Sequence, residues 1–276
     1  MSSRDAVPLA RERNIIVVAL ALLSVAAWTV LIWQADSVGM GSMSPTMGMT
    51  AALFLAIWIV MMIAMMFPTA APMILLFDHV QAQRRSRGAA YVATSVFVGA
   101  YLLVWTATGV VAFLAALAAE WMARKVGLSG EIGARIGGAL LVAAGLYQLT
   151  PLKLACLTQC RSPLSFVMTS WRPGTGGALR MGLEHGLYCL GCCWLLFVIL
   201  FPLGMMNVAA MAVITLLIFV EKTFPFGGRV TQAAAVGLVI YGAAVLVSPS
   251  LLPTFMPSAT SDMIMPDGSI MKMPAR

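Results

Sequence analysis

The chain has 276 residues, of which 61% are hydrophobic and 10% charged, with a mean hydropathy of +0.94. That much apolar surface is more than a soluble core of this length can bury, which excludes an ordinary water-soluble domain and puts most of the chain in lipid. The formal net charge of +7 does not point to nucleic acid, because the basic residues sit in short clusters between apolar runs rather than on one face.

Hydrophobic runs fall near residues 14–33, 50–77, 89–118, 134–152, 180–203, 206–221 and 230–249. Each is long enough to be read as a crossing helix. The fold expected is all-α, a polytopic transmembrane bundle of about seven helices, with six as the alternative count. The first run follows Arg4, Arg11 and Arg13, as a signal peptide would. It is long for that, and Trp33 stands where cleavage after Ala35 would need a small residue, so a retained helix is expected.

After the first run comes a loop, residues 39–49, with Met40, Met43, Met47 and Met49 among Gly, Ser and Pro. The second run carries Met61, Met62, Met65 and Met66. The spacing of Met61 to Met65 and of Met62 to Met66 stacks each pair along one helix face. Pro68 and Pro72 should kink this helix and free backbone carbonyls. Its inner end reaches Asp78 and His79.

The fourth run leads to Cys156 and Cys160, which pair at i,i+4 if the helix continues past Pro151. On the fifth, His185, Cys189, Cys192 and Cys193 follow i, i+4, i+7, i+8 spacing, with Met181 a turn before. Cys189 lies roughly 13 Å beyond Arg180 along the axis, near mid-membrane, with Glu184 beside the stripe. The apolar stretch from Gly186 to Val220 is too long for one crossing, and Pro202 with Gly204 is the natural dividing point. Asn207 and Glu221, the latter next to Lys222, are either polar support for the sulfur face or helix caps.

The chain reads as a single transmembrane domain over 1–252 and a Met-rich extracytoplasmic tail over 253–276 carrying Met256, Met263, Met265, Met271 and Met273. Counting Lys and Arg on alternate sides of the seven-helix arrangement gives twelve against five. By the positive-inside rule the N-terminus is cytoplasmic and the C-terminus outside. Both Met-rich segments then lie outside.

Nine of the 21 methionines stand in these two polar segments, where gap-filling in a core cannot explain them. Thioethers are soft, uncharged ligands suited to Cu(I), and they persist in oxidising compartments. Inward, thiols and imidazole suit Cu(I) or Zn(II). The expected cargo is therefore copper, as Cu(I), captured by Met40, Met43, Met47, Met49, Met263, Met265, Met271 and Met273. It is then held by Cys156, Cys160, His185, Cys189, Cys192, Cys193 and the Met61, Met62, Met65, Met66 group, with Glu184 and Glu221 around it. Zinc is the alternative metal.

The segments Met61-Met62-Ile-Ala-Met65-Met66-Phe-Pro68, Cys156-Leu-Thr-Gln-Cys160-Arg-Ser-Pro163 and Gly186-Leu-Tyr-Cys189-Leu-Gly-Cys192-Cys193-Trp194 together resemble a bacterial family. It is a family of predicted metal-binding integral membrane proteins, catalogued as a domain of unknown function, matched over roughly residues 50–225. The resemblance implies metal binding through the matching cysteines and a place in the bacterial inner membrane, and brings no reaction with it.

The function expected is capture, transport or delivery of Cu(I), with a periplasmic copper chaperone or membrane cuproenzyme as partner besides the lipid bilayer. No catalytic residue is assigned, and no Walker A motif is present to couple ATP. The alternatives are a membrane-embedded metal-dependent oxidoreductase and a thiol-disulfide relay through Cys189 and Cys192.

Overall fold

The computed structural model describes residues 3–38, 46, 48–255, 263–264 and 270–271. The expected copper-capturing methionines Met40, Met43, Met47, Met265 and Met273 lie outside the described residues, as does Met256 of the tail.

Helix α1 (Ser3–Val38) packs along α2 (Ala51–Ser86). Thr50 starts α2 by accepting from the Leu53 amide at 3.4 Å. The helix runs unbroken through Pro68 and Pro72. Pro68 has no N–H to offer the Ala64 carbonyl, and Trp28 of α1 supplies the missing donor, its Nε1 lying 3.2 Å from that oxygen.

Helix α3 (Thr94–Val126) ends at Gly127, whose φ of 63° is the left-handed conformation of a helix terminator. Helix α4 (Gly130–Tyr147) then stops early. The condition on which Cys156 and Cys160 would pair, a fourth helix continuing past Pro151, is met only by a restart: the chain begins again there as α5 (Pro151–Arg161), bent by 63° from α4. The cause is Pro151, which drives Thr150 into extended backbone at ψ 147°, from where the Thr150 hydroxyl caps the Lys153 amide at 3.3 Å. Cys156 and Cys160 keep their i,i+4 relation on the new helix.

Next follow α6 (Pro163–Ser170), α7 (Gly174–Val198) and the single turn α8 (Leu200–Leu203). Gly204, at φ 96°, reverses the chain where Pro202 and Gly204 were expected to divide it. Helix α9 (Val208–Thr223) is capped by Asn207, which accepts from the Ala210 amide at 3.0 Å, and α10 (Gly227–Val247) closes the bundle. Beyond it, Met263–Ile264 and Ile270–Met271 pair antiparallel, with Met263 opposite Met271.

Among the described residues, five helices are long and apolar enough to cross a membrane, and the bent α4–α5 pair makes six. Helix α9, at 16 residues, reaches only about 24 Å against the roughly 30 Å of a hydrocarbon core. Every one of the seven apolar runs is helical, but not every helix has spanning length. The outward faces are apolar, with Leu22, Val111, Leu216 and Val247 all exposed, as lipid contact requires.

Small residues let the helices approach closely. A Cβ on Gly242 of α10 would lie 2.7 Å from the Gly138 carbonyl oxygen of α4. On α7, a side chain at Gly182 would collide with the Phe97 carbonyl of α3, and one at Gly186 would meet Val104. The Gly182 and Gly186 face thus seats α7 on α3.

The loops segregate to two ends. At one, Arg161 donates to the Phe224 carbonyl at 2.8 Å and the Arg84 guanidinium lies 5.9 Å from the Trp171 ring. At the other, Thr46 donates to Glu120 through its amide at 2.8 Å and its hydroxyl at 2.6 Å, and Thr254 donates to the Pro202 carbonyl at 2.7 Å.

Candidate metal centre

Glycines 182 and 186 hold one side of α7 against α3, and the sulfur-bearing residues of α7 are turned into the bundle. Met181, His185, Cys189, Cys192 and Cys193 are all buried, as the stripe spacing predicts. Across from them, Met61, Met62, Met65 and Met66 of α2 are buried too. The two stripes touch where the Met66 thioether lies 4.0 Å from the Cys189 thiol.

Cys189 is the hub. Its Sγ shares a hydrogen bond with the Tyr101 hydroxyl of α3 at 3.2 Å and accepts from the Lys222 ammonium of α9 at 3.0 Å. Lys222 also reaches the Thr69 hydroxyl at 3.4 Å, and Thr69 donates to the Met66 carbonyl at 3.0 Å. Cys160 of α5 interacts with the side chains of both Cys189 and Cys192. Cys156 packs its Sγ against Gly191, at 2.6 Å from where a Cβ would stand. Five helices therefore meet at one group of sulfurs, in which the two cysteines of α5 stand against the three of α7.

The three thiols of α7 already have bonding partners. Cys192 and Cys193 donate to the Cys189 carbonyl at 3.1 and 2.8 Å, and all five cysteines are free of disulfides. Among the described residues, no three Cys, His, Asp or Glu side chains stand in ready coordination geometry. Binding a metal through Cys192 and Cys193 as thiolates gives up both of these bonds, because the proton that makes each is lost.

His185, one turn from Cys189, sits among the rings of Phe97, Tyr101 and Phe166 at centroid distances of 6.0, 5.7 and 5.5 Å. Its Nδ1 is buried without a hydrogen-bond partner among the described residues. A neutral imidazole nitrogen left in this way is a competent soft-metal ligand.

The two carboxylates expected around the cluster are elsewhere. Glu184 pairs with Arg180 at 2.7 Å on a partly exposed face, the i,i+4 neighbour being nearer than the thiols. Glu221 pairs with Lys153 at 2.8 Å, and both side chains are buried. Asn207 serves as a helix cap. Lys153 and Lys222, counted from sequence as loop charges, are in fact interior, which leaves ten cations against five for the orientation argument.

Lys222, Tyr101 and Thr69 are the site residues that sequence reasoning passed over. Lys222 had a readable signal, since it closes an otherwise apolar helix immediately after an acid. Tyr101 and Thr69 had none, because a lone hydroxyl in an apolar run is common.

Helices long and apolar enough to cross a membrane thus enclose three buried thiols, a histidine and a thioether stripe, with two further thiols at their edge, a set of side chains with soft-ligand chemistry. The chain belongs to the PpoB2 family, described as copper chaperone, whose family model matches residues 55–245. Copper handling is accordingly its class of function, and the match covers both the thioether stripe and the thiol cluster. No curated protein and no solved structure matches the chain.

Proposed function

We propose that this protein is a plasma-membrane Cu(I) carrier that receives the ion from outside and holds it among Cys160, Cys189, Cys192 and Cys193, with His185 and Met66 in reach, for delivery to a cuproenzyme. The observation that carries the reading is the convergence on Cys189 of a thioether, a cation, a hydroxyl and a thiol from four other helices. Two thiolates with one Cu(I) carry a net negative charge, and the Lys222 ammonium offsets it inside a low-dielectric bundle. The Met-rich segments serve as outer capture ligands, and the Met61, Met62, Met65, Met66 stripe leads inward. The N-terminus is cytoplasmic.

A thiol-rich site suits holding and transfer better than oxygen chemistry, because thiolates oxidise. Zinc would be held by the same thiols, but thioethers select Cu(I). The test is anaerobic titration of the purified full chain with Cu(I) against bicinchoninate. The Cys189→Ser/Cys192→Ser/Cys193→Ser variant should bind at least about a hundredfold more weakly, the upper end of what even outer-shell changes cost. Equal affinity in that variant, or a wild-type preference for Zn(II) over Cu(I), overturns the reading.

A further inference from the structure

Above the thiol cluster, at the end where Thr46 is tied to Glu120, the bundle contains a small cavity of about 10 Å³ lined by Met49, Phe54, Ile57, Trp58, Met61 and Met205. Three of these six side chains are methionines, and they come from three separate elements: the segment before α2, α2 itself, and the turn between α8 and α9. Met205 had no place in any sequence motif. Its position follows from Gly204, whose left-handed φ turns the chain back and whose carbonyl accepts from the Asn207 amide at 2.9 Å. Met49 is fixed in the same way, its amide donating to the Thr46 carbonyl at 3.0 Å.

The void has room for the centre of about one water-sized sphere, but it offers water no hydrogen-bond partners, and apolar cavities of this kind stay dry. A soft cation with thioether ligands suits both its size and its lining. Trp58 adds an aromatic wall, its indole N–H anchored on the Trp105 carbonyl at 2.9 Å, so the ring is held in place at the cavity. Met61 also begins the stripe that ends at Met66 and Cys189, about 8 Å further along α2.

We propose that Met49, Met61 and Met205 form a second, thioether-only Cu(I) site, walled by Trp58, through which the ion passes before reaching the thiols. The site rests on the copper reading above and is separate from the thiol cluster. Three neutral thioethers leave the ion its positive charge, so this site binds more weakly than the thiols and can release the ion inward.

The experiment is anaerobic Cu(I) titration of the full chain against bicinchoninate in five forms. Wild type is expected to bind two ions of unequal affinity. The Cys189→Ser/Cys192→Ser/Cys193→Ser variant keeps the weaker one, and adding Met49→Leu, Met61→Leu and Met205→Leu abolishes it, with Leu preserving side-chain volume. Adding Met40→Leu, Met43→Leu and Met47→Leu to the cysteine variant instead leaves that ion bound. Met205→Leu alone, in the cysteine variant, weakens it at least tenfold, which covers the case of a multiple variant that does not fold. Loss of the ion on replacing Met40, Met43 and Met47, or its retention when Met49, Met61 and Met205 are leucine, overturns the proposal. Failure of the thiol reading looks different: the cysteine variant would then retain the tighter ion.

Discussion

Lys153 follows a proline at the end of an apolar run, a position that reads as a loop charge, yet its side chain is fully buried against Glu221. One oxygen of Glu221, Oε1, has no partner among the described residues, so the pair is closely balanced. Removing one member of such a pair leaves an uncompensated buried charge. Lys153→Met should therefore cost about 3–5 kcal/mol, and Lys153→Met with Glu221→Leu should recover most of it. Chemical unfolding in detergent measures both. A single variant as stable as wild type would mean that water reaches the pair. The same reasoning explains why two lysines escaped the sequence reading: their charge is legible in the sequence, whereas their partners lie 33 residues away for Lys222 to Cys189 and 68 for Lys153 to Glu221.

Among the elements, α2 is the one that sets the thioether stripe, and at Pro68 its lost helical donor is replaced by its neighbour. The Ala64 carbonyl loses its helical donor to Pro68 and gains the Trp28 indole. Trp28→Phe should cost about 1 kcal/mol in the wild-type chain. In a Pro68→Ala background the cost should fall toward zero, because residue 68 then has an N–H for the Ala64 carbonyl. A double-mutant cycle on unfolding free energy reads the difference. Equal costs in the two backgrounds would show that the indole does not replace the lost helical bond. The i,i+4 pairs of this stripe were legible because helical period alone puts them on one face. The outcome at Pro151 was not: Pro68 and Pro151 carry the same local restriction, but only the first meets a donor from another helix, and the chain at the second breaks by 63°.

For the whole molecule, the sequence leaves orientation as a matter of charge bias, and the bundle sorts its loops to two ends. With the N-terminus inside, a membrane-impermeant maleimide should label Lys125→Cys in intact cells and Arg87→Cys only after the membrane is opened, since both positions are exposed. The reverse pattern would invert the topology and move Met49, Met61 and Met205 to the cytoplasmic end.

The sequence by itself determined the all-helical class, the lipid-facing composition, the buried faces of α2 and α7, and the sulfur chemistry that belongs to a copper-handling family. These follow from local quantities: hydropathy over about 20 residues, helical period, and the softness of sulfur. Tertiary structure alone decided that Cys156 and Cys160 join the other three cysteines, that Lys222 and Tyr101 sit on Cys189, that Glu184 and Glu221 pair elsewhere, and that Met205 meets Met49 and Met61. Each of those depends on how closely two helices approach and at what rotation. That is set by small-residue contacts such as Gly182 on Phe97 and Gly138 on Gly242, for which period and composition carry no partner's name.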